Sequence, residues 1–418
     1  MSMTYDDVIK AKIRAFTDVG FEPREFTTPL FDWQRLIVEW AVKRGRVALF
    51  EECGLGKTIQ QIEWAYQVHL HTQKPVLIVC PLAVQFQTVE EGKHFGIEIT
   101  PVREASDVNS TGLNIINYDR IDRIDPEMFA GVVLDESSIL KGLTGATRRM
   151  LTEMFSKTPY RLCCTATPAP NDFTELGQHA EFLGVCKYNE MLSEYFINDT
   201  FNTGDWRLKK HAETPFWEWV ASWAACVSKP SDIGFDDAGY DLPEVNEQYV
   251  TVPVDHRADP ESGELFAFTS PSATEIHRHN RKTAKDRCEA AAKVVNATDE
   301  QFIAWCESND ESELLHELIP DSVEVKGSDS VDAKERDLKA FSTGQARVII
   351  TKPSIAGFGL NWQHCRNEIF VGLSYSFEKF YQASKRIHRF GQKRTVNRYI
   401  VQTDAENGVL KAISRKSG

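Results

Sequence analysis

Short apolar runs alternate with stretches of helical spacing along most of this 418-residue chain. Residues 47–50 are wholly apolar, and Ile59, Ile62, Ala65 and Val68 then recur three or four positions apart. This pattern predicts a buried strand followed by a helix. Further apolar runs in the first half predict buried strands at 76–80, 114–117, 132–134 and 162–164.

The second half of the chain repeats this alternation. Predicted helices cover about 275–297, 310–319 and 331–342, and predicted strands cover 248–254, 302–306, 323–325 and 348–351. Strands that alternate with helices favour parallel sheets covered by helices. We therefore predict an α/β fold with two lobes, residues 1–235 and 236–418, joined near a segment rich in turn-forming residues at 230–245.

Residues 172–240 carry a high density of aromatic side chains, among them Tyr195, Phe196, Trp217 and Trp223. We expect mostly helices over about 172–230, packed on the core of the first lobe, since large aromatic side chains gain most from burial. Stacking against nucleic-acid bases is the alternative that the sequence leaves open.

The composition, 42% hydrophobic and 26% charged, is that of a globular protein. The formal net charge of −13 argues against a protein that coats nucleic acid nonspecifically. The stretch from Tyr375 to Gly418 is a local exception, because it holds ten Lys and Arg against three Asp and Glu. A basic track is therefore compatible with the acidic whole, and a solvated basic surface is the alternative.

Targeting and cysteine signals point to a cytoplasmic protein. No N-terminal segment joins basic residues to an apolar run, and the run at 76–80 is too short to span a bilayer. The nine cysteines form no Cys-x-x-Cys pair, which favours reduced thiols. Since no cluster has the spacing of metal ligands, we expect no structural zinc.

A candidate phosphate loop, Glu51-Glu52-Cys53-Gly54-Leu55-Gly56-Lys57-Thr58, joins the first predicted strand to the helix after it. The two glycines allow a tight turn, and backbone N–H groups at a helix N-terminus attract phosphate. Lys57 is expected to reach the terminal phosphates, and the Thr58 hydroxyl to hold Mg²⁺. The general pattern has glycine where this chain has Glu51, so an ordinary glycine turn is the alternative.

Two carboxylates, Asp135 and Glu136, directly follow the predicted strand at 132–134. Asp135 is suited to the Mg²⁺ shell, and Glu136 to orienting and deprotonating an attacking water. An acidic strand end at the surface is the alternative, which the upstream phosphate loop disfavours. Gln34 precedes that loop, and its carboxamide can both donate to and accept from an adenine edge. A plain amphipathic helix also accounts for its surroundings.

Two further segments carry candidate chemistry. The hydroxyls of Thr165 and Thr167 suit a phosphate contact, although plain turn residues are the alternative. In the later lobe, Arg386 and Arg389 are three positions apart and would share one face of a helix. Guanidinium groups suit the charge that spreads over a transferred phosphoryl group, and a solvated basic helix is the alternative.

The order of these motifs resembles the superfamily-two helicases. The motifs are Gln34, GLGKT at 54–58, DESS at 135–138, TATP at 165–168, GFGLN at 357–361 and a Gln-x₃-Arg-x₂-Arg-x-Gly-Gln segment at 382–392. The GLGKT loop, the acidic pair Glu51-Glu52 and the last motif resemble the Swi/Snf-type branch of DNA translocases. The compact size and the stretch 350–365 are similar to phage-encoded members of that branch.

The resemblance implies two RecA-like lobes with ATP and Mg²⁺ in the cleft between them. The ATP-binding residues it implies are Gln34, Gly54, Leu55, Gly56, Lys57, Thr58, Gly359 and Gln382. It further implies that Arg386 and Arg389 act as arginine fingers, with Thr58 and Asp135 as metal ligands. The nucleic-acid contacts it implies are Pro81, Asn117, Tyr118, Lys352, Ser354 and Gly357. The sequence departs from the family's usual Asp-Glu-Ala-His at Ser137 and Ser138, so the contact made by that histidine is not expected here.

The leading hypothesis is an ATPase that tracks along double-stranded DNA. A helicase that separates strands of DNA or RNA is the second hypothesis. A nucleic-acid-binding scaffold that does not hydrolyse ATP is the third, and the complete set of candidate catalytic residues argues against it.

Overall fold

The computed structural model describes residues 18–141, 146–198, 206–253, 273–356, 361–372 and 377–403. Within these ranges the chain divides into two compact units, one ending at Asp236 and the other starting at Asp237. Each unit is built on its own parallel sheet with helices against it, so the predicted α/β class with two parallel-sheet lobes is confirmed.

The first unit opens with helix α1 and then alternates strands with helices. Its elements are α1 (Asp32–Arg44), β1 (Arg46–Glu51), α2 (Lys57–Thr72), β2 (Val76–Cys80), α3 (Leu82–His94), β3 (Ile99–Pro101), β4 (Leu113–Asn117), β5 (Gly131–Asp135), α4 (Ala146–Met154) and β6 (Tyr160–Thr165). The strands β2, β4 and β5 are buried at every position. They read as continuous apolar runs because a parallel sheet is covered on both faces.

The aromatic-rich part of the first unit is mostly helical, as predicted. It contains α5 (Leu176–Leu183), α6 (Tyr188–Tyr195), β7 (Phe196–Asn198), β8 (Trp206–Leu208), α7 (Glu213–Trp223) and β9 (Ala224–Val227). Phe182, Tyr195, Phe216 and Trp223 join the core cluster that also contains Phe50 and Leu134. The expected packing on the first core is therefore confirmed.

The first sheet has seven parallel strands in the order β3-β4-β2-β5-β6-β1-β9. The sequence pattern did not predict β3, β9 or the antiparallel β7–β8 hairpin. Strand β9 follows helix α7 without a break and contains small residues, so its pairing with β1, where Cys226 lies opposite Phe50, comes from tertiary structure. In this order β5 and β1 flank β6, so their carboxyl ends lie at the same edge of the sheet.

The second unit carries a six-stranded parallel sheet in the order β10-β15-β14-β11-β13-β12. Its elements are β10 (Val245–Val252), α8 (Ala273–Val295), β11 (Phe302–Trp305), α9 (Asn309–Leu318), β12 (Ser322–Val325), α10 (Val331–Ser342), β13 (Val348–Thr351), α11 (Pro353–Ala356), β14 (Asn367–Phe370), α12 (Phe377–Ser384) and β15 (Val396–Thr403). Every helix and strand predicted for this half is present, with ends that differ by at most three residues. Strands β14 and β15 were not predicted.

Candidate active site

The phosphate loop lies between β1 and α2, as its sequence predicts. Gly54 and Gly56 adopt φ values of 93° and 78°, which side chains disfavour. A Cβ atom on Gly56 would lie only 2.6 Å from Nε2 of Gln34, so glycine is also required there for space. Lys57 begins helix α2, and its ammonium group donates to the backbone oxygens of Glu51 (2.8 Å) and Glu52 (3.1 Å). The lysine thus folds back over the loop that precedes it.

Gln34 supports this loop from helix α1. Its side-chain oxygen accepts a hydrogen bond from the backbone N–H of Phe31 (3.0 Å), and its Nε2 donates to the backbone oxygen of Leu55 (2.8 Å). The side chain is buried, whereas the neighbouring Phe31 is exposed. Gln34 therefore links the start of α1 to the phosphate loop, and its contact with adenine stays a prediction.

The acidic pair stands at the carboxyl end of β5. Asp135 is the last residue of the strand, and its backbone oxygen accepts a hydrogen bond from the Tyr118 hydroxyl (2.7 Å). Its carboxylate oxygen Oδ1 accepts one from Nε2 of Gln61 in helix α2 (2.7 Å). Glu136 has φ of 53°, a left-handed conformation that is uncommon for a residue with a side chain. Such strain concentrates at functional sites, where the surrounding structure enforces it.

The loop after β6 lies beside the acidic pair. The Thr165 hydroxyl is 3.5 Å from Oε2 of Glu136, and it accepts a hydrogen bond from the backbone N–H of Thr167 (3.1 Å). Both threonines are buried. This arrangement connects the Thr165 hydroxyl of the TATP segment to the carboxylate that is expected to activate water.

Glu51, the residue that replaces a loop glycine, is fully buried at the end of β1. Its carboxylate accepts a hydrogen bond from Nε2 of Gln60 (2.8 Å). Burial raises the pKa of Glu51 to about 7, although the positive charge of Lys57 and the Gln60 hydrogen bond act in the opposite direction. The carboxyl group is thus held inside the sheet rather than presented at the surface of the loop.

Sequence reasoning missed a histidine that packs behind the site. His179 in α5 is fully buried, with its ring edge-to-face against Phe50 (5.1 Å between centroids). Burial lowers its pKa to about 4, and the backbone groups of Glu175 and Ser137 partly offset this shift. Since α5 reads as an ordinary packed helix, the sequence carries no signal for this position.

The predicted nucleic-acid contacts of the first unit differ in exposure. Pro81 is half-buried and caps the N-terminus of α3. Asn117 and Tyr118 are buried, and the Tyr118 hydroxyl is bonded to the Asp135 backbone. Of these three residues, Pro81 therefore offers the most surface to a ligand, and Tyr118 instead supports the acidic pair.

In the second unit, two of the predicted nucleic-acid contacts are described. Lys352 is half-buried, with its ammonium group 2.7 Å from Oδ1 of Asn309, and Ser354 is exposed on the short helix α11. Gly357, the third predicted contact, and Gly359, a predicted ATP contact, lie outside the described residues.

The predicted arginine fingers follow helix α12 rather than sharing a helical face, because that helix ends at Ser384. Arg386 is buried, and its guanidinium donates to the backbone oxygen of Gln382 (2.8 Å) and to the side-chain oxygen of the same residue (3.1 Å). Arg389 is half-buried. Gln382, predicted to contact ATP, is fully buried beneath Arg386.

Gln392 closes the same motif with internal bonds. Its Nε2 lies within hydrogen-bond distance of the backbone oxygens of Gln363 (3.0 Å), Cys365 (2.9 Å) and Ile387 (3.3 Å). Its side-chain oxygen accepts from the backbone N–H groups of Lys393 and Arg394. These bonds hold the turn after Arg386 against the segment that precedes β14.

The residues of the first unit fit a nucleotide with Mg²⁺. The cradle at Gly56 has no room for a Cβ, and the N-terminus of α2 supplies backbone N–H groups and Lys57. Thr58 and Asp135 supply hydroxyl and carboxylate oxygens, the donor types that Mg²⁺ prefers. The role of each residue toward these ligands stays a prediction.

Two protein families match this chain. Residues 33–204 match the SNF2-related domain, and residues 286–391 match the helicase conserved C-terminal domain, together more than half of the chain. The phosphate loop and the acidic pair lie in the first match, and the segment with both arginines lies in the second. These domains define the class of nucleic-acid-dependent ATPases of the helicase type. Within it, the chain belongs to the Swi/Snf-type branch of the superfamily-two helicases, as its motifs predict.

Relatives in this family are much longer than the matched segment. The chain is 29% identical over 191 residues to the mouse (Mus musculus) DNA annealing helicase and endonuclease ZRANB3, covering 42% of this chain and 18% of the relative. It is 30% identical over 159 residues to the SWI/SNF-related matrix-associated actin-dependent regulator of chromatin subfamily A-like protein 1 of Xenopus tropicalis, covering 35% and 16%. The alignments thus span less than a fifth of each relative.

Among solved structures, the Sulfolobus solfataricus SWI2/SNF2 ATPase core in complex with dsDNA aligns over 92% of this chain and 90% of its own, with a TM-score of 0.45 and 16% identity.

Among the residues that the structure describes, no helix is long and apolar enough to cross a membrane.

Proposed function

We propose that this protein hydrolyses ATP with Mg²⁺ and uses the hydrolysis to track along double-stranded DNA. The observation that carries the ATPase proposal is the hydrogen bond between Gln61 and Asp135. It joins the helix that begins at the phosphate loop to the strand end that bears the acidic pair. A phosphate cradle and a metal-binding carboxylate therefore share one edge of the sheet, which is what phosphoryl transfer requires.

The chemistry is assigned to side chains of the first unit. Lys57 exchanges its bonds to the loop carbonyls for the terminal phosphates and places positive charge where negative charge develops. Glu136 orients the attacking water and accepts its proton. Thr58 and Asp135 would hold the Mg²⁺ ion, which would neutralise charge at the phosphates. Gln34 fixes the loop and reads the adenine edge.

The second unit contributes arginine to the same nucleotide in this proposal. Arg389 suits the role of an arginine finger because its side chain retains partial exposure. Arg386 is assigned to the site together with Gln382, which holds its guanidinium fork in one orientation.

The DNA assignment rests on family membership and on the basic stretch from Tyr375 to Gly418. Relatives in the family include a protein named as a DNA annealing helicase. We assign Pro81 in the first unit, with Lys352, Ser354 and Gly357 in the second, to the phosphate backbone of DNA, and Asn117 and Tyr118 to the support of that surface. Contacts to phosphate make binding independent of sequence and sensitive to salt.

The test is ATP hydrolysis measured with no nucleic acid, duplex DNA, single-stranded DNA and RNA. Duplex DNA should give the largest stimulation, and a triplex-displacement assay should show tracking without net unwinding. The affinity for duplex DNA should fall with salt, with a log–log slope of about −0.9 for each neutralised phosphate. A rate that no nucleic acid changes would contradict the proposal, and stimulation by single strands with unwinding of a duplex would instead indicate strand separation.

A further inference from the structure

Helix α2 carries an unusual row of buried polar side chains. Gln60, Gln61, Glu63 and Gln67 are each at most 1% exposed, in a stretch of the helix that the protein buries on nearly every side. A helix normally buries apolar residues there, because a buried polar group costs free energy unless it is hydrogen-bonded. These four side chains meet that cost by bonding to segments from different parts of the first unit.

Each member of the row has a distinct partner. Gln60 bonds to Glu51 at the start of the phosphate loop, and Gln61 bonds to Asp135. Glu63 accepts hydrogen bonds from the backbone N–H and hydroxyl of Thr28, and Gln67 accepts one from the backbone N–H of Arg24. Of the four, only Gln61 bonds to a side chain to which a role in metal binding is assigned.

The bond between Gln61 and Asp135 is short and buried. Its length is 2.7 Å, and the two residues are 1% and 7% exposed. A hydrogen bond to a carboxylate in such surroundings is charge-assisted and stronger than one between neutral groups. The backbone oxygen of Asp135 is held separately by the Tyr118 hydroxyl. The Tyr118 hydroxyl thus fixes the main chain of Asp135, and helix α2 fixes its side chain.

Thr58 lies in the first turn of the same helix. One rigid element therefore carries the predicted hydroxyl ligand of the metal and orients the predicted carboxylate ligand. Partners of this type set the direction of a ligand carboxylate, and their loss typically lowers metal affinity about 10- to 100-fold.

We propose that Gln61 is a positioning residue that orients Asp135 for the Mg²⁺ ion of Mg·ATP. The inference rests on the proposed function, because it presupposes that the nucleotide binds at the phosphate loop. Gln61 acts through Asp135 and touches neither nucleotide nor water. A purely structural amide would merely satisfy a buried carboxylate, and its loss would lower stability without changing the metal requirement.

The test uses the full chain with Gln61→Met, which keeps the length of the side chain and removes the donor. Binding of a fluorescent, non-hydrolysable ATP analogue is measured as MgCl₂ is titrated. The Mg²⁺ concentration at half-saturation should rise about 10- to 100-fold relative to the natural chain, while binding in EDTA stays unchanged. The matched control is Gln67→Met, which removes a buried amide from the same helix away from Asp135 and should leave the Mg²⁺ requirement unchanged.

A double-mutant cycle with Asp135→Asn separates positioning from general damage. Gln61→Met should add nothing to the altered Mg²⁺ requirement of Asp135→Asn, because the group through which it acts is already changed. An unchanged Mg²⁺ requirement in Gln61→Met, or additive effects in the double variant, would overturn the inference alone. Failure of the natural chain to bind the analogue at any Mg²⁺ concentration would overturn the proposed function as well. Thermal unfolding of each variant verifies that the fold is intact.

Discussion

The motif-bearing segments of the two units use their polar side chains in different ways. At the edge of the first unit, Lys57 bonds to loop carbonyl groups, and Glu136 occupies a strained left-handed conformation. In the second unit, Arg386 and Gln392 are buried, and Arg386 bonds to Gln382 whereas Gln392 bonds to backbone groups before β14 and in its own turn. The first edge thus places charged groups around the candidate phosphate loop, whereas much of the second motif holds its own turn in place.

This difference shows that membership of a motif does not by itself identify a ligand contact. Arg386 and Arg389 occur three positions apart in one motif, yet only Arg389 keeps partial exposure. In the first unit, Gln60 and Gln61 of helix α2 support the site from outside the short motif patterns. Variants that remove either a predicted chemical group or a supporting group therefore test this difference between the two units.

Replacing Lys57 by Ala should have the largest effect and reduce ATP hydrolysis to background. The ammonium group bonds to backbone carbonyls rather than to the core, so the fold should remain intact. Steady-state hydrolysis with saturating duplex DNA measures the effect, and thermal unfolding checks the fold. Lys74→Ala, an exposed lysine beyond the end of α2, is the control. Turnover near that of the natural chain in Lys57→Ala would remove the first edge as the ATP site.

Arg389→Ala should lower turnover about 10³-fold or more at saturating DNA, since an arginine finger acts on transition-state charge. Its thermal stability should change little. Arg386→Ala should lower both turnover and stability, because the buried Gln382 loses its partner. The control is Lys393→Ala, which removes an exposed charge from the same segment. Normal turnover in both arginine variants would mean that the second motif serves only structure or DNA binding.

Glu136→Gln should lower turnover about 10²-fold or more, because the amide cannot accept the proton of the attacking water. Metal binding through Asp135 survives, so the variant should still bind ATP and remain in the ATP-bound state. Its affinity for duplex DNA should therefore increase when ATP is present. Hydrolysis and fluorescence anisotropy of labelled DNA measure the two effects, and unchanged turnover would assign water activation to another group.

Gln392→Ala tests whether the motif of the second unit, residues 382–392, has a mainly structural role. Three backbone carbonyl groups and two N–H groups would lose a buried partner, so the free energy of unfolding should fall by about 2–3 kcal/mol. Urea denaturation measures the change. Gln345→Ala, at an exposed position of the same unit, is the control and should be nearly neutral. A neutral Gln392→Ala would contradict the structural role.

Glu51→Gln should have the smallest effect, seen as a change in pH dependence. The pKa of Glu51 is raised to about 7 in the folded protein, above its ordinary value, so its contribution to stability is present at low pH and lost as pH rises through 7. For the natural chain, the free energy of unfolding should therefore fall by about 2 kcal/mol between pH 5 and pH 7. Glu51→Gln lacks the titrating group, so urea denaturation across this range should show a smaller loss. Identical pH profiles would contradict the buried, protonated state.

The sequence alone predicts most of the fold and the place of the candidate site. Apolar runs such as 76–80 and 132–134 predict strands because a parallel sheet is buried on both faces. A glycine-rich loop before a helix predicts a phosphate cradle. This reasoning did not predict strand β9. Its short run of small residues carries no periodicity, and it forms a strand by pairing with β1.

Tertiary structure alone decided which polar side chains support the site. Gln61 and Asp135 are 74 positions apart, and adjacent glutamines in a helix read as an ordinary polar face until the sheet places a carboxylate against one of them. His179 likewise reads as part of a packed helix, and its burial behind Phe50 follows from how α5 lies on the sheet. Periodicity reports which face of an element is buried. The partner that a buried polar group meets depends on contacts between distant segments, which local sequence does not encode.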